Sequence, residues 1–162
     1  MIMSLKSSTW GKLSVTGVAV GAMSLLATAA SAGECPPGKS GFDVMKPEAT
    51  APKGVTDKVL SKIDLGQEAV GLKGHDFRLR RLVIEPGGIV PWHSHGERPA
   101  LIYVVSGTIL EYASNCAVPI VHKAGEVSAE DHGTSHWWKN TSDKPVVLIS
   151  ADIQRNKNDH NM

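Results

Sequence analysis

The amino-acid sequence predicts an all-β domain of the sandwich or barrel class. Three observations support this prediction. Short apolar segments recur roughly every 8 to 12 residues, Gly, Pro, Asn and Asp separate them, and no stretch keeps the 3.6-residue apolar period of a helix over three turns. Such spacing is typical of short strands that pair through tight connections.

Each predicted strand ends at a turn signal of its own. The clearest strand covers residues 76–85 and is expected to end at Pro86-Gly87-Gly88, while residues 55–64 form a further candidate whose period is ambiguous. The other predicted strands are residues 89–94, 100–105, 108–112, 118–122, 134–139 and 145–151.

The N-terminal 32 residues have the pattern of a secretory signal peptide. Lys6 and Lys12 precede an apolar run over residues 13–30, which ends in Ala30-Ser31-Ala32. A transmembrane anchor is the alternative, but the run falls short of about 20 strongly apolar residues. We therefore expect a periplasmic or secreted protein. The predicted division is a cleaved signal peptide (1–32), an N-terminal arm (33–54), a barrel (55–153) and a polar tail (154–162).

Cys35 and Cys116 both lie after the predicted cleavage site. Two cysteines in an exported chain favour one disulfide, which would tie the N-terminal arm to the domain. The alternative is two unrelated thiols, one of them a metal ligand. The sequence contains no C-x-x-C, so it gives no support to a zinc knuckle or a thioredoxin-like redox motif.

The charge balance argues against two classes of partner. The chain has 17 basic and 16 acidic residues, a formal net charge of +1. A nearly neutral chain has no electrostatic footprint for nucleic acid or for an anionic membrane surface. We expect a small-molecule partner and, after signal cleavage, no membrane association.

Three histidines carry the clearest chemical signal. His93 and His95 form an H-x-H pair at the end of an apolar segment, and His136 follows in a distant predicted strand. Side chains alternate along a strand, so His93 and His95 point the same way, roughly 6.5 Å apart. A third imidazole from another strand would complete a facial metal site with positions open for substrate or water.

Two spacings around these histidines resemble the motifs of the cupin superfamily. The first motif, G-x5-H-x-H-x4-E-x6-G, is similar to the series Gly87, His93, His95, Ala100 and Gly107. The second, G-x5-P-x-G-x2-H-x3-N, is similar to the series Gly125, Asp131, Gly133, His136 and Asn140. The resemblance implies a double-stranded β-helix, or jelly-roll barrel, with His93, His95 and His136 as metal ligands and often a homodimer.

The chain departs from these motifs at two positions. Ala100 replaces the metal-binding Glu, and Asp131 replaces the Pro. Glu97 is a candidate fourth ligand, with Glu111 and Asp131 as weaker ones. Without a carboxylate the set resembles that of three-His dioxygenases of the superfamily, which implies ferrous iron, although Zn, Mn, Cu or Ni also suit neutral imidazoles.

Four residues are candidates for the wall of a substrate pocket: Arg98, Ile102, Val104 and Trp138. Ile102 and Val104 share the face of Ala100, and Trp138 shares the face of His136. Arg98, in the turn after the H-x-H pair, would pair with a substrate carboxylate at the pocket rim, or would be a solvated turn charge.

Other charged residues receive structural interpretations. We expect His122 and His132 to be surface or hydrogen-bonded histidines, and Arg78, Arg80 and Arg81 to form a solvated or interfacial face.

Two main functional hypotheses follow. One is a metal-dependent enzyme, dioxygenase-like, that acts on a small organic acid. The other is a non-catalytic periplasmic protein that binds metal or a small molecule. A structural barrel with no bound metal is a third hypothesis.

Overall fold

The computed structural model describes residues 34–41 and 49–155, which contain eight strands and no helix. The all-β prediction is therefore confirmed. The strands are β1 (Lys53–Asp64), β2 (Asp76–Ser94), β3 (Ala100–Ser106), β4 (Thr108–Ala113), β5 (Ile120–Lys123), β6 (Val127–Glu130), β7 (Ser135–Lys139) and β8 (Val146–Gln154). The predicted signal peptide and nearly all of the polar tail lie outside the described residues. Over the described ranges, no helix is long and apolar enough to cross a membrane.

The strands form one antiparallel sheet that curls into a jelly-roll barrel, as the resemblance implied. Its order is β5-β4-β7-β2-β8-β3-β6, and β1 pairs with β2 beside this path. β2 is the longest strand. Its first part pairs with β1 and β8, and its last part pairs with β7, so β2 connects the two halves of the barrel.

The expectation that a strand ends at Pro86-Gly87-Gly88 is wrong, because β2 continues through these residues and changes partners there. Gly87 takes a positive φ of 71°, which glycine adopts without strain. The Gly87 N–H donates to the Asn140 carbonyl (2.9 Å), and the Asn140 N–H donates to the Gly88 carbonyl (3.0 Å). Backbone hydrogen bonds thus attach this bend to the end of β7.

The structure also contains one unpredicted strand, β6, and a longer last strand, β8, than we predicted. β6 was not predicted, because its four residues, Val-Ser-Ala-Glu, contain only one large apolar side chain. β8 extends to Gln154, the residue at which we predicted the tail to begin. Pairing with β3 stabilises β6, and pairing with β2 stabilises the end of β8, although the composition of both segments gives little strand signal.

Alternating side chains of the strands build the core. In β3, Ala100, Ile102 and Val104 point inward and are buried, whereas Leu101 and Tyr103 point outward. The main core also contains Leu82, Ile84, Val90, Ile109, Trp138, Val146 and Leu148.

The predicted disulfide between Cys35 and Cys116 is present. Cys35 packs beside a small apolar cluster of Ala113, Cys116 and Ile120. Ser40 forms an isolated β-bridge with Cys116, so the described part of the arm is attached to the barrel by covalent and backbone bonds.

Candidate metal centre

The structure brings the three predicted histidines together at one point inside the barrel. His93 on β2 and His136 on β7 are direct cross-strand partners, and His95 follows β2 on the same face as His93. The His95 Nε2 atom lies 3.0 Å from the Nε2 atoms of both His93 and His136, which are 3.2 Å from each other. These three residues are called the triad below.

Hydrogen bonds on the opposite side of each ring set the orientation of the triad. The Nδ1 atom of His93 donates to the Pro91 carbonyl (2.8 Å), and that of His95 donates to the Arg98 carbonyl (2.8 Å). The Nδ1 atom of His136 donates to Oε1 of Glu111 (2.6 Å). Each ring therefore carries a proton at Nδ1 and turns Nε2 toward the other two rings.

Burial keeps two members of the triad neutral. Burial, together with the charge of nearby His136, lowers the pKa of His93 to about 2, and the same causes lower the pKa of His95 to about 4. Their Nε2 lone pairs remain free over the physiological pH range, which is the state in which histidine binds a metal.

His136 differs because two carboxylates lie beside its Nδ1 atom. Burial opposes its charged form, but the Glu130 charge and the hydrogen bond to Glu111 outweigh burial and raise the pKa of His136. Without a metal, His136 is thus the triad member that takes a second proton, which a metal ion would displace.

The triad fits a divalent transition metal. An ion about 2.1 Å from two imidazole nitrogens at a right angle to each other would place those nitrogens about 3.0 Å apart. The observed separations of 3.0–3.2 Å match this value. Three neutral nitrogens suit Fe, Zn, Cu or Ni better than Mg or Ca, which prefer oxygen ligands.

A small, mostly apolar cavity of about 30 Å³ borders the triad. One water needs about 10–15 Å³ of such a cavity, so this cavity has room for roughly two or three waters. Trp138 and Ile102, two of the predicted pocket residues, line it. The other lining residues outside the triad are Arg80, Leu82, Val90, Leu148 and Ser150.

Three other predicted site residues do not lie where we expected. Val104 is fully buried in the core and does not line the cavity. Arg98 is only 4% exposed, so it is neither a solvated turn charge nor part of the cavity wall, and its backbone carbonyl holds His95. The Glu97 side chain is 79% exposed, lies 3.5 Å from Arg155, and is not grouped with the triad as a candidate ligand.

Arg80 is a cavity residue that sequence reasoning missed. We expected a solvated or interfacial face, but Arg80 is 6% exposed and lines the triad cavity. It pairs with Asp57 on β1 and with Asp152 on β8 (3.3 Å), and it donates to the Ser150 hydroxyl (3.3 Å). A signal was available, since Arg80 has the same strand parity as inward-facing Leu82.

A second group of residues lies behind His136. Of its two carboxylates, we named Glu111 from the sequence as a weaker candidate ligand and missed Glu130. Glu111 Oε2 accepts a hydrogen bond from His122 (2.7 Å), so His122 is a buried, hydrogen-bonded histidine, one of the two roles we expected for it. Glu130 Oε2 lies 3.2 Å from His136 Nδ1, and Glu130 Oε1 accepts from the Ser128 hydroxyl (2.7 Å). Glu111 and Glu130 are both buried and have the inward parity of their strands, which is the signal that could have identified Glu130.

The two carboxylates have opposite pKa shifts. Burial raises the pKa of Glu111, but hydrogen bonds from His122 and His136 outweigh it and lower this pKa to about 2. Burial dominates at Glu130 and raises its pKa to about 7, although the His136 charge opposes this. Glu111 is therefore the ionised partner of His136 at neutral pH.

Comparison with protein families gives a match over much of the barrel. The family model Cupin_2, described as "Cupin domain", matches residues 80–152, which include the whole triad.

Curated relatives match at moderate identity. Nectarin-1 of Nicotiana plumbaginifolia is 30% identical over 117 residues, 69% of this chain and 49% of that protein. Germin-like protein subfamily 2 member 1 of Arabidopsis thaliana is 27% identical over 110 residues, 64% of this chain and 50% of that protein. The chain spans about half the length of these curated relatives.

Solved structures share the fold at low sequence identity. A protein with a double-stranded β-helix domain from Klebsiella pneumoniae has a TM-score of 0.50 and 18% identity, over 72% of this chain and 90% of that chain. The Cnp3 cupin domain of Schizosaccharomyces pombe has a TM-score of 0.50 and 14% identity, over 64% of this chain and 67% of that chain. At such identities the likeness concerns the fold alone.

Proposed function

The chain belongs to the cupin superfamily, and from that premise we propose that it is an exported metalloprotein that acts on a small organic acid. The triad His93, His95 and His136 would hold the divalent ion, which is ferrous iron by family resemblance. The observation that carries this proposal is the convergence of three Nε2 atoms within 3.2 Å of one another at the edge of a cavity.

The ion, when bound, would serve as a Lewis acid and as the docking point for substrate and oxygen in dioxygenase-like chemistry. While His136 keeps its Nδ1 hydrogen, the three imidazoles of the triad are neutral ligands and would leave the ion its full +2 charge. The Nδ1 hydrogen bonds to Pro91, Arg98 and Glu111 fix the rings, so no histidine has to reorient when the ion binds.

The cavity supports a small anionic substrate. Arg80 adds a cation to one wall, although Asp57 and Asp152 compensate much of its charge. Ile102, Trp138 and Leu148 would exclude water from a bound molecule. A volume of about 30 Å³ favours an acid of a few heavy atoms, unless side chains move to admit a larger one.

Two observations support export to the periplasm or beyond. The first 32 residues have the sequence pattern of a signal peptide. The described part of the chain contains a disulfide between Cys35 and Cys116, and disulfides persist in oxidising compartments. A homodimer stays a prediction from the family resemblance.

One observation favours a second candidate, a binding protein without turnover. Apart from the triad, the titratable side chain that lines the cavity is Arg80, which is already ion-paired. Glu111 and Glu130 lie behind His136 and do not line it. General acid or base chemistry would have to come from the metal or the substrate, whereas simple binding needs neither.

Metal analysis combined with oxygen uptake tests the proposal and separates the two candidates. Wild type, His93→Ala and the control His132→Ala, which alters an exposed histidine, are purified from their native cell compartment and analysed for bound metals. We expect wild type and control to retain a metal ion at the triad and His93→Ala to lose the ion bound there. Oxygen uptake with thiols or dihydroxybenzoates would support the enzyme, and bound metal without uptake would support the binder. Equal metal content in all three proteins would overturn the triad site.

A further inference from the structure

The two nitrogens of His136 face two separate chemical environments. Its Nε2 atom belongs to the triad, while Nδ1 lies 2.6 Å from Glu111 Oε1 and 3.2 Å from Glu130 Oε2. Three possible ligand atoms, one from each of His136, Glu111 and Glu130, lie within 4.8 Å of one another. All three residues are buried, with at most 2% of their surface exposed.

A second cavity is lined in part by Glu111 and Glu130, the two carboxylates beside His136 Nδ1. It has a volume of about 210 Å³ and shares no lining residue with the triad cavity. Four of its lining residues are carboxylates and none of them is Lys or Arg, so we call it the acidic cavity. Its lining residues are Glu34, Cys35, Glu111, Asn115, Ile120, Ser128, Ala129, Glu130, Asp131 and Thr134. A concave surface of one charge sign concentrates ions of the opposite sign, which here are cations.

The hydrogen bonds around His136 leave a role for such a cation. Nδ1 carries one hydrogen, which points to the closer carboxylate oxygen, Glu111 Oε1, so Glu130 Oε2 would have to share it. Glu111 Oε2 already accepts from His122, and Glu130 Oε1 accepts from Ser128. Two buried carboxyl groups thus compete for one donor, and a cation beside them would pair with the ionised form of Glu130, which burial otherwise disfavours.

We propose that Glu111, Glu130 and the Nδ1 atom of His136 form a second divalent-cation site, so that the His136 imidazolate bridges it to the triad metal. The second ion would replace the Nδ1 hydrogen, and that proton would leave through the acidic cavity to solvent. Two carboxylates and one imidazole nitrogen suit Zn²⁺ or Mn²⁺. The bridge depends on the metal site proposed above, while the second site itself does not.

Metal stoichiometry separates the two sites. The full-length protein is stripped of metal and dialysed against Zn²⁺, and bound zinc is measured for wild type, Glu130→Gln, His93→Ala and Glu68→Gln. Glu68 is an exposed carboxylate, so its variant is the matched control. We expect two equivalents in wild type and control, one in Glu130→Gln at the triad, and one in His93→Ala at the carboxylates. The equivalent retained by Glu130→Gln also shows that this variant folds.

The failures of the two proposals are distinguishable. One equivalent in wild type that survives Glu130→Gln but not His93→Ala would overturn the second site and leave the triad intact. One equivalent that survives His93→Ala but not Glu130→Gln would overturn the triad and the bridge. No bound zinc would overturn both sites.

Magnetic coupling tests the bridge itself. Two Cu²⁺ ions joined by an imidazolate couple antiferromagnetically, so their electron paramagnetic resonance signal weakens. In wild type we expect the integrated signal to grow with the first equivalent of Cu²⁺ and to fall with the second. In Glu130→Gln it should reach a plateau after one equivalent. Two uncoupled signals in wild type would overturn the bridge.

Discussion

Glu111 is the side chain that fixes which nitrogen of His136 faces the triad. Its ionised carboxylate accepts the Nδ1 proton at 2.6 Å, and it is itself held by His122 at 2.7 Å. A carboxylate behind a metal-binding histidine fixes the ring and increases its basicity. Glu111 thus stabilises the ligand form of His136 although it does not touch the triad cavity.

We predict that Glu111→Gln weakens metal binding at the triad. Glutamine keeps the size of the side chain but removes its charge, so His136 becomes a poorer ligand. Loss of such a partner costs about 10- to 100-fold in metal affinity. Competition with a chelator, at less than one metal ion per protein, measures the affinity for the first ion. Glu68→Gln, at an exposed position, is the control. An unchanged affinity in Glu111→Gln would contradict this role.

Individual residues of the site also differ in how far the sequence predicts their positions. The resemblance of the spacings around Gly87 and Gly125 to the cupin motifs identified the triad, and strand parity placed His93 and His95 on one face. Arg80 was missed because burial of its charge depends on Asp57 and Asp152, which come from two other strands. Local composition does not contain such pairings, although parity with Leu82 indicated the inward direction.

At the scale of elements, β2 positions the triad by its bend. Residues before the bend pair with β1 and β8, and residues after it pair with β7, which sets His93 opposite His136. The sequence indicated a break at Pro86-Gly87-Gly88, since these residues commonly end strands. Whether a strand ends or changes partners there depends on β7 and its hydrogen bonds to the bend, which local sequence does not specify.

We predict that Gly88→Ala destabilises the barrel. A Cβ atom at this position would lie 2.7 Å from the Glu85 carbonyl oxygen and 3.0 Å from the Gly54 carbonyl oxygen, and backbone atoms cannot move cheaply. Overpacking of this kind costs roughly 1–3 kcal/mol. Urea unfolding of wild type and variant measures the difference in the free energy of unfolding.

Gly96→Ala provides the matched control for this prediction. A Cβ atom at Gly96 would meet the Ser94 hydroxyl at 3.5 Å, an ordinary contact, and the same Gly→Ala change is made there. We expect the free energy of unfolding of Gly96→Ala to differ little from that of wild type. Equal stability of the two variants would mean that close packing at Gly88 is unimportant.

In the molecule as a whole, one cavity is lined by His136 and the other by its neighbours Glu111 and Glu130, and the disulfide lies beside only the second. Cys35 and Glu34 line the acidic cavity, whereas no residue of the arm lines the triad cavity among the described residues. The covalent link therefore shapes the outer wall of the acidic cavity, whereas β2, the turn after it and β7 position the triad.

Removing the disulfide should consequently have two separable effects. The bond links residues 81 positions apart, and closing such a loop stabilises a protein by about 4.5 kcal/mol in the chain-entropy model. We predict that the variant Cys35→Ala/Cys116→Ala loses free energy of unfolding of this order in urea. Reductant should lower the stability of wild type to a similar extent and leave the variant unchanged, which serves as the control.

The same variant should also bind metal differently at the two sites. In conditions where it is folded, we expect the triad to keep its first equivalent of zinc, because β2 and β7 hold it. The second equivalent should bind more weakly, because the arm that carries Glu34 no longer closes the acidic cavity. Zinc dialysis of the folded variant measures both. If the variant lost the zinc ion at the triad but kept the second zinc ion, the disulfide would support the triad and not the acidic cavity.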